Sequence, residues 1–167
     1  AEIYHLVIFP IIKERQDIIE PGVKSLSTQK FSPKRILVVF ALEDRAEEKI
    51  KEDALAIAKK YQHHFLDIMT VVHPSGIPGE AAVKGANATH AAKGATEYFH
   101  SKNIPLENVI LSCFDADTIV GEEYFACLTY HFMIAPNRIQ SSFQPIPVYH
   151  NNIWQVPSFA RVIEIGS

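Results

Sequence analysis

The sequence predicts an α/β protein whose mostly parallel, doubly wound sheet is flanked by helices. Short runs rich in β-branched and aromatic residues alternate along the chain with longer segments of helical periodicity. The runs are apolar at nearly every position, as strands are when helices cover both faces of a parallel sheet. With 167 residues, 47% of them hydrophobic and 21% charged, the chain suits one compact domain with a sizeable core.

Four runs are predicted to be buried strands because Val, Ile, Leu and Phe dominate them. They are residues 3–9, 35–42, 66–72 and 108–114. Pro10 is expected to end the first strand, since proline has no N–H to donate to a sheet ladder. A further extended run is predicted over residues 139–150, where Pro145 and Pro147 confine it to a sheet edge or an irregular strand.

Helical periodicity between the strands predicts four helices, which completes the repeated strand–helix–strand pattern of a parallel sheet. They are residues 21–30, 45–63, 80–99 and 122–134. Pro21 is expected near the first turn of the first helix. The third helix is rich in alanine, which suits close packing on the sheet, and the Gly- and Pro-rich segment 73–79 before it is predicted to be a surface loop. Pro157 is expected to open a last helix.

Charge and cysteine content exclude several functional classes. The formal net charge is −3 and the pI is about 6.2, which argues against a nucleic-acid partner because such proteins carry a basic face. The two cysteines, Cys113 and Cys127, cannot build a disulfide framework and are predicted to be reduced and buried, as in cytosolic proteins. No apolar stretch in the chain approaches the ~20 residues that a membrane-spanning helix needs.

The strongest chemical pattern is Asp115-Ala116-Asp117 directly after a predicted buried strand. Two carboxylates one residue apart, on a chain leaving a sheet, can turn toward one ligand, and hard divalent cations such as Mg²⁺ and Mn²⁺ prefer oxygen ligands. A metal held there would neutralise the charge of a diphosphate leaving group. The alternative is structural: Asp115 would cap the strand end and Asp117 would lie in the N-cap region of the next helix.

Two further sets of residues are expected at the same edge, because ligands of parallel sheets lie beyond the carboxyl ends of the strands. Glu43 and Asp44 end the second strand and could accept hydrogen bonds from a nucleobase or ribose. Alternatively, they form a solvated acidic turn that favours the following helix N-terminus. Lys84, after the glycine-rich loop, could reach a phosphate, or it is an exposed lysine on an ordinary helix.

Taken together, these segments resemble the family 2 glycosyltransferases, which adopt the GT-A fold, a Rossmann-like sheet. The segments that carry the resemblance are residues 8–14, 38–44, 79–87, 111–120 and 144–162. The resemblance implies an inverting transferase that uses a nucleoside diphosphate sugar, with a UDP-sugar favoured, and a divalent cofactor, Mn²⁺ or Mg²⁺. In that family Asp44, with Pro10 and Glu14 nearby, would line the nucleoside pocket, Asp115 would contact the ribose or sugar, and Asp117 would bind the metal.

Two departures from the family pattern limit the expected activity. The second strand ends in Glu43-Asp44 without the usual Gly-Ser-x-Asp that follows it. The family's acidic catalytic base has no counterpart after Asp117, since the tail 159–167 contains only Glu164. We therefore expect residues 1–167 to be the nucleotide-sugar-binding part of a catalytic domain, cut short at its C-terminus, unable to transfer sugar alone and with its base outside this chain.

The resemblance to membrane-anchored bacterial members also predicts a location on the cytoplasmic face, with any membrane association made by segments outside this chain. The sequence also leaves three other functions open. A haloacid dehalogenase-type phosphatase would need a different residue at Ile119, and a sugar nucleotidyltransferase would need a Gly- and Arg-containing loop after the first strand. A non-catalytic nucleotide-sugar-binding module is the main competitor, because the chain lacks a recognisable base.

Overall fold

The computed structural model describes residues 2–74 and 84–145 and contains four strands and four α-helices in alternation. The strands are β1 (Tyr4–Ile11), β2 (Ile36–Glu43), β3 (Asp67–His73) and β4 (Val109–Cys113). The helices are α1 (Gln16–Ser27), α2 (Glu48–Tyr61), α3 (Lys84–Ser101) and α4 (Tyr124–Ile134). None of the helices in this part of the chain is long and apolar enough to span a membrane.

The four strands form one sheet in the order β3-β2-β1-β4, with every neighbouring pair parallel. β1 lies in the middle, where it pairs with β2 from His5 opposite Ile36 and with β4 from Tyr4 opposite Val109. Parallel pairing requires helical crossovers, which the alternating helices provide. The predicted class, a mostly parallel doubly wound α/β sheet flanked by helices, is therefore confirmed.

Side chains that alternate along the strands divide the core between the two faces of the sheet. One face of β1 and β2 carries Phe9 and Phe40, which pack with buried residues of α1 and α2 and with Phe125 of α4. The other face carries Ile8 and Val39, which pack against Ala91, Ala95 and Phe99 of α3. The small residues of α3 thus allow the close approach to the sheet that the alanine-rich sequence predicts.

The structure corrects two boundaries near the N-terminus. β1 continues through Pro10 to Ile11, so the prediction that Pro10 ends the strand is wrong. The carbonyl of Ile8 accepts a hydrogen bond from the Phe114 N–H, and the Pro10 backbone faces that same side, beyond the end of β4, where the ladder needs no donor. α1 begins at Gln16, so Pro21 lies inside this helix and not near its first turn.

The structure contradicts two other expectations, and a third concerns residues outside its described part. Both Cys113 and Cys127 are exposed, so the prediction of burial is wrong. Cys113 lies on the α3 face of the sheet, and α3 packs on β1, β2 and β3 but leaves β4 uncovered there. Residues 138–140 form a 3-10 turn and residues 141–145 have no regular structure, so an extended run is not observed over 139–145. Residues 146–167, including Pro157, lie outside the described part.

Candidate functional site

The carboxyl ends of β2, β1 and β4 lie side by side at one edge of the sheet, here called the rim. Neighbouring strands are about 4.8 Å apart, so β2 and β4 lie about 10 Å apart laterally with β1 between them. β2 also extends further along β1, since Leu42 pairs with Ile11 whereas the last residue of β4, Cys113, pairs with Ile8. Asp44 follows β2, Glu14 follows β1, and Asp115 with Asp117 follows β4. The order of the strands therefore brings to one edge the acidic residues that lie far apart in the sequence.

The acidic segment after β4 presents its two carboxylates outward. Phe114 and Ala116 are buried in the core, whereas Asp115 and Asp117 on either side of Ala116 are exposed. A turn follows directly, because the Thr118 N–H donates to the Asp115 carbonyl at 2.9 Å. The apolar residues anchor the segment and leave the carboxylates at the surface.

A helix-capping role for Asp117 does not fit this geometry. α4 begins at Tyr124 and its N-cap residue is Glu123, six positions after Asp117 along the sequence. An N-cap side chain must accept a hydrogen bond from an N–H of the first helical turn, which starts at the next residue. The helix-capping alternative for Asp117 is therefore excluded.

The carboxylates at the rim could supply only some of the ligands that a hard divalent cation needs. In residues 2–74 and 84–145, no three His, Cys, Asp or Glu side chains converge to hold a metal ion. Mg²⁺ and Mn²⁺ bound to nucleotides use one or two protein carboxylates, with phosphate oxygens and water completing the shell. The pair Asp115 and Asp117 fits that kind of site, in which the metal binds together with a diphosphate.

Glu43 is the last residue of β2, whereas Asp44 is the first residue of the turn that follows it. Glu43 is 7% exposed and lies on the α3 side, where its Oε1 accepts a hydrogen bond from Asn87 Nδ2 at 3.2 Å. Its Oε2 accepts from Arg45 Nε. The Arg45 hydrogen bond, helped by that of Asn87, holds the pKa of the Glu43 carboxyl below its usual value despite the burial.

Asp44, by contrast, is exposed, and among the described residues its hydrogen bond is made by the backbone, since its N–H donates to the His73 carbonyl at 3.0 Å. Of the two acidic residues at the end of β2, Asp44 is thus the one available to a ligand. Glu43 connects the sheet to α3, a function that the sequence did not reveal.

The remaining predicted residues have defined positions. Pro10 is buried in β1. The Glu14 carboxylate closes the turn after β1, because its Oε2 accepts from the Ile12 N–H at 2.7 Å and from the Lys13 N–H at 3.0 Å. Lys84 is the first residue of α3, and its side chain lies outside the described residues, as does the loop 75–83 before it.

Substitutions at Glu43 and Asp44 are expected to separate the structural residue from the binding residue. Asp44→Ala should change the free energy of unfolding by less than about 0.5 kcal/mol, as surface substitutions usually do. Glu43→Ala should cost about 1–3 kcal/mol because it leaves the buried Asn87 amide without its acceptor. Urea denaturation of both variants tests this, and equal losses would contradict the assignment.

The fold and the rim define a doubly wound α/β protein whose ligand is expected at the carboxyl ends of its strands. No protein-family model matches the chain, and no curated protein matches it. Among solved structures, S. aureus TarS 1–349 in complex with UDP is similar, with 20% identity over 78% of this chain and a TM-score of 0.52. The complex of TarS 1–349 with UDP-GlcNAc is similar at 17% identity over 78%, with a TM-score of 0.51.

At this identity the likeness shows a shared fold and leaves the function of this chain to be argued from its own residues. The chain spans about a third of the length of these TarS structures, 31% and 32%.

Proposed function

We propose that this chain is the donor-binding part of an inverting, metal-dependent glycosyltransferase that uses a UDP-sugar. The observation that carries the proposal is the rim, where Asp115 and Asp117 are exposed after β4 and Asp44 is exposed after β2. Asp44 and the acidic pair thus follow strands on either side of β1, which suits a nucleoside diphosphate bound across the rim, with its nucleoside near Asp44 and its diphosphate near Asp117.

Two independent observations support a uridine nucleotide. The motifs of this chain resemble those of family 2 glycosyltransferases, and its fold is similar to part of TarS, which has been seen in complex with UDP and with UDP-GlcNAc. In this assignment Asp44 accepts hydrogen bonds from the nucleoside, with Pro10 and Glu14 shaping the adjacent surface. Lys84, at the start of α3, is assigned to the phosphates.

The carboxylates of Asp117 and Asp115 would hold Mn²⁺ or Mg²⁺ against the diphosphate. The cation supplies Lewis-acid stabilisation of the negative charge that the departing UDP acquires. The residues of this chain bind and orient the donor so that its anomeric carbon is open to attack from the face opposite UDP. Inverting transfer also needs a base for the acceptor hydroxyl, and we assign that base to a residue outside this chain.

The metal assignment predicts that UDP binding depends on both Mn²⁺ and Asp117. Calorimetric titration of UDP should show tight binding with Mn²⁺ and a loss of affinity of at least about tenfold with EDTA or in Asp117→Asn, which removes one anionic ligand. Asp17→Asn, which makes the same change at an exposed carboxylate of α1, is the matched control and should bind as the wild type does. Binding of UDP that ignores both EDTA and Asp117→Asn would refute the metal site.

A further inference from the structure

The segment between the acidic pair and α4, residues 118–123, has no regular helix or strand. Its backbone groups are therefore not paired by a helix or a sheet ladder. Several of their partners come from the C-terminal half of α1 and the residues just after it, about 90 residues earlier in the sequence. We call this group of contacts, made by Gly22, Ser25, Gln29 and Lys30, the α1 clamp.

Gln29 makes the central contacts of the α1 clamp. Its side chain is 7% exposed, and its amide Nε2 donates to the Gly121 carbonyl at 2.8 Å and to the Ser25 carbonyl at 3.0 Å. Its Oε1 accepts from the Phe125 N–H at 3.3 Å. One buried amide thus joins the end of α1, the segment after the acidic pair and the first turn of α4.

The other members of the α1 clamp act on the same segment. Ser25 Oγ accepts from the Val120 N–H at 3.2 Å, and the Lys30 N–H donates to the Glu122 carbonyl at 2.8 Å. Gly22 packs so closely that a Cβ on it would lie 2.7 Å from the Thr118 carbonyl oxygen. The α1 clamp therefore contacts four of the six residues of the segment, Thr118, Val120, Gly121 and Glu122.

We propose that Gln29 is a positioning residue for the metal–diphosphate site, because it fixes the segment that begins one residue after Asp117. The inference rests on the proposed function, in which Asp117 binds the metal. Gln29 itself is buried behind the segment and acts on the ligand only through it. Loss of its hydrogen bonds should release the turn at residues 115–118 and reduce metal-dependent binding, while the nucleoside side of the rim, on β2, stays intact.

The test compares Gln29→Met, which keeps the side-chain length but removes the amide, with Ile57→Val. Ile57 is buried on α2 and has no part in the hydrogen bonds of the α1 clamp, so its variant controls for a general loss of stability. We expect Gln29→Met to weaken Mn²⁺-dependent UDP binding about tenfold while UDP affinity in EDTA stays within about twofold of the wild type. Ile57→Val should leave both affinities unchanged. Unchanged Mn²⁺-dependent affinity in folded Gln29→Met would overturn the proposal.

Ser25 offers a second route if Gln29→Met does not fold. Ser25→Ala removes the acceptor of the Val120 N–H and should lower Mn²⁺-dependent affinity several-fold, whereas Ser25→Thr keeps the hydroxyl and should restore it. If Ser25→Ala leaves the Mn²⁺-dependent affinity unchanged, the α1 clamp does not position the site.

Hydrogen exchange distinguishes this inference from the proposed function. In Gln29→Met the amides of Val120 and Phe125 should exchange at least about tenfold faster, with the amides of β2 unchanged. If wild-type protein shows no Mn²⁺-dependent UDP binding, the proposed function fails. The positioning of the segment by Gln29 is then supported by faster exchange confined to residues 118–125 and overturned by its absence.

Discussion

Acidification from pH 6.5 to pH 5 is expected to remove about 2 kcal/mol from the free energy of unfolding, through the single buried histidine of β1. His5 is fully buried between Phe31 and Phe125, with ring centroids 4.8 and 4.7 Å away. Its Nε2 lies 2.8 Å from Thr129 Oγ1, and within the described residues its Nδ1 has no hydrogen-bond partner. Burial lowers the pKa of His5 to about 3.

The direction of this change in stability follows from the protonation state of His5 in the folded and the unfolded chain. Above pH 6.5 the histidine is neutral in both the folded and the unfolded chain, so its protonation does not lower the free energy of unfolding. Below pH 6.5 His5 takes up a proton in the unfolded chain, whereas in the folded protein it stays neutral until about pH 3. Stability therefore falls by about 1.4 kcal/mol per pH unit, and by between about 4 and 5 kcal/mol at pH 3.

The measurement is urea denaturation at pH 7, 6 and 5, a range chosen to lie above the ordinary pKa values of carboxyl groups. His5→Phe keeps an aromatic ring in the same place and removes the titrating group, so its stability should be nearly flat over this range. His100→Phe, at an exposed position near the end of α3, is the control and should follow the slope of the wild type. A wild-type slope as flat as that of His5→Phe would disprove the assignment.

Alanine substitutions at two helical glycines are expected to change stability in opposite directions. Alanine favours a helix over glycine by about 1 kcal/mol. In Gly94→Ala that gain is realised, because the new Cβ would lie 3.6 Å from Val71 Cγ2, an ordinary contact. In Gly22→Ala the new Cβ would lie 2.7 Å from the Thr118 carbonyl oxygen, a backbone atom that a side-chain rotation cannot move away.

We expect Gly94→Ala to stabilise the protein by about 0.5–1 kcal/mol and Gly22→Ala to destabilise it by about 1–2 kcal/mol. Thermal or urea denaturation of the two variants side by side measures the difference. If Gly22→Ala also gained stability, the close approach of α1 to the segment after Asp117 would be absent. Since the α1 clamp holds that segment, Gly22→Ala should weaken Mn²⁺-dependent UDP binding as well.

The sequence predicted the strands, the class of fold and the acidic pair, because these depend on local patterns. Runs of Val, Ile and Phe identify buried strands, and Asp115-Ala116-Asp117 stands out where such a run ends. The layout of the rim followed as well, since parallel strands place their carboxyl ends at one edge. The Asp44 and Asp117 assignments to nucleoside and metal stay predictions.

What the sequence did not predict depends on contacts between distant elements. A strand buried on both faces shows no alternation, so nothing distinguished Glu43, which faces α3, from Asp44, which faces solvent. The exposure of Cys113 depends on how far α3 extends across the sheet. Gln29 bonds to a carbonyl 92 residues away, and no local pattern marks such a partner.

The pairing of β1 with β4 has a consequence for the order in which the protein gains its binding surface. β1, β2 and β3 with their helices can assemble from residues near one another, but Tyr4 meets Val109 only after most of the chain has been made. Closing such a long loop carries an entropic cost that is recovered late in folding. We therefore expect the end of β2 that precedes Asp44 to form before Asp115 and Asp117 reach the rim. Under the proposed function, the surface that would hold the metal and the diphosphate would therefore form only after β4 has joined the sheet.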